Sequence, residues 1–199
     1  MKTYESTLPQ TYRTLYTLDA QKKSVGVAFT LGALVLTVLA FVLTSAIVLA
    51  GRECDHVAIL FHSHIGFLSA ISYLVYIVLH ELTHGVAYYA LTKQKLTFGM
   101  TWSVAYCGVP NIFVTKKTAI IALLAPFVVF NVVFLLGAFL CTEVSYRFFF
   151  TALFALHFGG CVGDLHATYL LGWKFRGKNI LMNDTGPKQT YYTDAKTEG

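Results

Sequence analysis

The chain has 199 residues, 56% of them hydrophobic and 13% charged, with a mean hydropathy of +0.61. That is one domain by length and too apolar for an ordinary soluble globule, so an integral membrane protein is expected. The formal charge of +5 comes from basic residues that flank apolar runs and form no stripe; they read as topology signals and argue against a nucleic-acid partner.

Residues 1–23 are polar and rich in Thr and Tyr and read as a short cytosolic arm, either a disordered tail or an interfacial helix. Residues 24–51 carry no charge and, at ~1.5 Å per residue, exceed a ~30 Å hydrocarbon core. They form a first span, retained because it is far longer than the ~7–15 apolar residues of a signal peptide. Residues 52–64 are a connection; its His62-x-His64 pair invites a metal, but a solvated loop or an interfacial helix is the stronger reading.

The second span, residues 66–92, carries His80-Glu81-Leu82-Thr83-His84. Residues four apart share a helix face, so both imidazoles can reach one metal ion with Glu81 beside them, a zinc site with its general base attached. The competing reading is plain packing in a helix bundle. It is the weaker one, because an unpaired carboxylate at membrane depth costs roughly 2.5 kcal/mol or more.

Residues 93–117 are too polar to span. Within them 96–106 alternate and are rich in β-formers, with Gly108 and Pro110 as breakers. A short hairpin or re-entrant element is expected there, or an ordinary loop; a sheet edge could take an extended peptide by strand addition. Residues 118–142 are a third span holding Pro126 and Asn131, residues 143–147 a tight turn, and residues 148–173 a fourth span with His157, Asp164 and His166. Residues 174–199 read as a polar, partly flexible cytosolic tail. The fold class expected is therefore an all-α membrane protein of four transmembrane helices with a short β-like or re-entrant element between the second and third. It divides into an arm (1–23), a four-span domain (24–173) and a tail (174–199). Cys54, Cys107, Cys141 and Cys161 are scattered without a CxxC pair, so no disulfide framework is expected.

With the N-terminus inside, thirteen of the fifteen basic residues fall on cytosolic segments, leaving Arg52 and Arg147 outside. This asymmetry places both termini in the cytosol of a multi-pass cell-membrane protein. It also allows depth to be read from the lysines at the helix ends. From Lys93, His84 lies about 13 Å in and His80 about 19 Å; from Lys174, Asp164 lies about 15 Å in. The shared height nominates Asp164 as the third metal ligand, with a fourth position left for water. A carboxylate paired with a histidine without metal is the alternative. His157, about 25 Å in, overshoots and reads as a second-shell or packing residue. His166 is close in height but turned away from Asp164. Asn131, about 21 Å in, is a candidate donor to a substrate carbonyl, or an amide bonding across helices.

The HExxH motif in a membrane helix, Ala125-Pro126 in the next span and Gly163-Asp164 in the last resemble the bacterial family of putative zincin peptidases. These are small multi-pass membrane proteins, more distantly similar to the site-2 intramembrane metalloproteases. Asp164 departs from the site-2 pattern in being followed by Leu165, with no Asn-Pro pair before it. The resemblance implies peptide hydrolysis. The expected cofactor is Zn²⁺ and the expected partners are a peptide or membrane-protein substrate and the lipid bilayer. In this reading a zinc-activated water attacks a peptide bond near the cytosolic side while Glu81 serves as general base. The rivals are a non-catalytic protein that uses the same residues as a structural metal or polar clamp for partner helices, and a metal-ion transporter. The transporter reading is weakened by four spans without an internal repeat. The oligomeric state is not legible in the sequence.

Overall fold

A computed structural model of the chain describes residues 2–50, 63–101 and 105–195, with side chains from residue 67 onward in the second segment. The connection holding Cys54 and His62, and the side chain of His64, lie outside the described residues. In chain order the elements are β1 (Tyr4–Glu5), β2 (Tyr12–Asp19), α1 (Lys23–Val48), α2 (Ser63–Thr92), β3 (Thr97–Met100), β4 (Ala105–Gly108), β5 (Phe113–Thr115), α3 (Lys116–Leu140), α4 (Val144–Gly160), α5 (Val162–Tyr169) continued by a π-helical turn (Leu170–Lys174), β6 (Ile180–Asp184) and β7 (Lys188–Asp194).

The expectation of an all-α protein is overturned. Among the described residues, five helices stand beside a five-stranded antiparallel sheet in the order β1-β5-β6-β7-β2 and a two-stranded sheet, β3-β4. The arm, read from sequence as a disordered tail or an interfacial helix, and the tail, read as partly flexible, pair with each other from Tyr12↔Asp194 to Asp19↔Lys188. Each segment alone is a short Tyr- and Thr-rich stretch with too little apolar face to order itself. The partner that completes it lies far away along the chain, where local patterning cannot see it.

The chain divides into two compact units. The first comprises Met1–Ala28, His80–Pro126 and Asp164–Gly199. Its core gathers Val114, Leu171, Met182 and Tyr191, all fully buried. Phe175 packs on Tyr191 with ring centroids 5.7 Å apart. The β6–β7 turn depends on Gly186, at φ +97°, because side chains other than glycine's rarely enter that region. The Tyr106 ring also lies directly over it, where a Cβ would collide.

The second unit comprises Phe29–Leu79 and Phe127–Gly163. An aromatic core of Tyr76, Phe130, Phe134, Phe149 and Phe154 fills it. Gly159 of α4 lies against Thr37 and the Ala33 carbonyl of α1, leaving no room for a Cβ. A small residue lets two backbones approach closely, which is how apolar helices pack when lipid removes the hydrophobic incentive to associate.

Among the described residues three helical stretches, Lys23–Val48, Phe67–Thr92 and Lys116–Leu140, are long and apolar enough to cross a membrane. Val144–Gly160 and Val162–Lys174 qualify together as a pair bent by 43°. The fourth apolar stretch is thus broken at Cys161, and the turn expected at 143–147 is already helical from Val144. Leu31, Leu34, Val38 and Leu43 on α1 are all more than half exposed, the opposite of a water-facing surface and suited to hydrocarbon.

Candidate metal centre

The HExxH motif lies well inside α2, so the helix presents His80 and His84 on one face, both buried. α2 ends at Lys93, which adopts a left-handed φ of 56° and so breaks the helical path. The chain then returns as the β3–β4 hairpin, which packs on the helix because Gly85, next after the motif, has no side chain. A Cβ there would fall 2.6 Å from the Phe98 ring of β3.

The structure brings Asp164, in the first turn of α5, to both histidines. Its Oδ2 lies 3.2 Å from His80 Nε2 and 3.3 Å from His84 Nε2. Charge-assisted hydrogen bonds are shorter, about 2.7–2.9 Å. Two ligands of a tetrahedral zinc, each about 2.0–2.1 Å from the ion, stand about 3.3 Å apart. The donor set of two imidazoles and a carboxylate, and its spacing, therefore fit zinc. His84 Nδ1 is 2.8 Å from the Ala122 carbonyl. A carbonyl oxygen only accepts, so Nδ1 carries a hydrogen and Nε2, the nitrogen that faces Asp164, is the one that would offer its lone pair to an ion, the arrangement that metal-ligating histidines adopt.

Glu81 offers a carboxylate oxygen within 4.8 Å of ligand nitrogens of both histidines. It accepts a hydrogen bond from the Cys107 backbone N–H on β4. The next N–H along that edge, from Val109, donates to the Asp184 carbonyl at 2.8 Å. Alternate residues of an extended strand point the same way, so a single strand edge touches both the motif helix and the β6–β7 hairpin.

Asp184 is the residue that sequence reasoning missed. Its Oδ2 accepts from the Tyr88 hydroxyl at 2.7 Å and its Oδ1 from the Gly186 N–H at 2.9 Å. Tyr88 follows His84 by one helical turn on the same face, and that spacing was a usable signal. Nothing marked Asp184, which the sequence assigned to a solvated tail and the structure buries at 2% exposure. Burial raises its carboxyl from 3.8 to about 6, against the two donors that lower it. Burial likewise pushes the Cys107 thiol up to about 12, with Asp184 adding to the effect. A carboxyl whose folded value is raised contributes stability that is fully present below its ordinary value and lost as pH rises through the folded one. The wild type should therefore gain thermal stability relative to Asp184→Asn between pH 7 and pH 4. Melting both proteins in detergent across that window checks this, and a constant difference would refute the titration.

Two sequence candidates belong to the second unit. His157 is fully buried there, with Nδ1 2.8 Å from the Tyr76 hydroxyl and Phe130 and Phe134 around it. Asn131 Oδ1 is buried and has no hydrogen-bond partner among the described residues. His166 packs beside Tyr169 on α5, their centroids 6.5 Å apart.

Comparison with curated proteins and with solved structures finds no match. A sequence profile of the family described as putative zincin peptidase matches residues 73–176, just over half of the chain. The match takes in the motif, the β3–β4 hairpin and Asp164, ends before Asp184, and by its description implies a zinc cofactor. The chain belongs to the putative zincin peptidase family.

Proposed function

We propose that the protein is a membrane-embedded zinc metallopeptidase that hydrolyses peptide bonds near the cytosolic face of the bilayer. The observation that carries this reading is the position of Asp164 Oδ2, 3.2 and 3.3 Å from the two motif imidazoles. His80, His84 and Asp164 would hold the ion. Bound zinc would supply Lewis acidity, making water nucleophilic near neutral pH and polarising a carbonyl. Glu81 would take the proton from the attacking water and deliver it to the leaving amine. The Cys107 N–H steadies one side of that carboxylate and the Ala122 carbonyl holds the His84 ring in place. β4 pairs with β3 along one edge and turns the other toward Glu81, which ties the base to the hairpin beside it.

The sheet supports the topology. β1 and β2 precede α1, β5 lies between α2 and α3, and β6 and β7 follow α5, yet all five belong to one sheet. Strands of one sheet cannot straddle a bilayer, because an open sheet edge in hydrocarbon leaves backbone groups unsatisfied. An even number of crossings between these segments is what this reading requires, and it would take the bent α4–α5 pair as the fourth span. Both termini would then share a side, and the excess of lysine and arginine supports the cytosol as that side.

The test is purification in detergent with zinc analysis and assay against a quenched-fluorescent peptide library and single-span test proteins. Hydrolysis that a chelator stops and zinc restores is the expected result. Full zinc occupancy without cleavage of any of them would sink the peptidase reading and favour a non-catalytic metal clamp.

A further inference from the structure

α3 runs from Lys116 to Leu140 with Pro126 inside it. In an α-helix the carbonyl of residue i accepts from the N–H of residue i+4. For Ala122 that partner would be residue 126, and proline has no N–H. The carbonyl orphaned in this way is the one that His84 Nδ1 meets at 2.8 Å. Ala122 and Pro126 are both fully buried, so bulk water does not supply the missing donor, and a buried acceptor without one is unfavourable. The histidine fills a vacancy that the proline opens.

We propose that Pro126 is a positioning residue of the metal centre: by leaving the Ala122 carbonyl without a helical donor, it reserves that acceptor for His84 and fixes the ring with Nε2 free for the ion. This rests on the reading of His80, His84 and Asp164 as metal ligands. An ordinary residue at 126 would place its own N–H on the same oxygen and draw the carbonyl back along the helix axis, away from the imidazole. The competing account is a proline tolerated as a membrane-helix kink, which predicts altered packing without any change in metal binding. Outer partners that orient a ligating histidine typically govern metal affinity by 10–100-fold when lost.

The experiment is a buffered zinc titration of the full-length protein in detergent, comparing wild type, Pro126→Ala and Pro126→Val, with amide hydrogen exchange read at residue 126. Alanine and valine differ in volume and share the restored N–H. Both variants should bind zinc about 10–100-fold more weakly, and the new amide should be protected from exchange because it bonds to the Ala122 carbonyl. Wild-type affinity in both, or weakening in the alanine variant alone as a cavity would give, overturns the proposal while leaving the metal centre standing. A wild type that takes up no zinc overturns the metal centre itself, and this proposal with it.

Discussion

Glu81→Gln should lower kcat by about 10²–10⁴-fold, the range over which a positioned acid–base group contributes, while zinc content and folding stay at the wild-type level. Glutamine has the same shape and keeps an oxygen for the Cys107 N–H that the carboxylate accepts, so β4 loses no anchor. What disappears is the capacity to take a proton. The result also decides between two roles for Glu81, since its carboxylate lies close enough to His80 and His84 to complete a ligand group with them. Zinc lost from Glu81→Gln would make it a ligand; zinc retained with turnover unchanged would remove the hydrolytic mechanism.

The second large effect belongs to Asp164. Asp164→Ala should weaken zinc binding by more than about 100-fold, beyond the usual cost of losing an outer partner, and abolish turnover. Two imidazoles would remain without the oxygen that now stands 3.2 and 3.3 Å from them. His166→Ala, two residues along the same helix, should leave zinc stoichiometry unchanged, since that ring packs beside Tyr169. Metal analysis of the two variants against wild type checks both expectations. Full zinc in Asp164→Ala would assign the third ligand elsewhere, with Glu81 the next candidate.

Pro126 shows how a local feature can be visible and its use hidden. The sequence displays a proline within an apolar run, but its consequence depends on which donor stands opposite the Ala122 carbonyl. That donor, His84, is 38 residues earlier. Asp184 is harder still: its importance is that the fold buries it against Tyr88, and no pattern around residue 184 foretells burial.

Two properties were settled by sequence alone because both are periodic and local. Long uncharged runs announce helices suited to lipid, and the four-residue spacing of His80 and His84 puts two imidazoles on one helix face whatever the rest of the chain does. Only the tertiary structure decided that the tyrosine-rich ends pair as β2 and β7, that β4 reaches Glu81, and that Asp184 closes on the motif helix. Each of those contacts joins segments distant in sequence, and the free energy that orders them comes from surfaces that exist only once the partners have met.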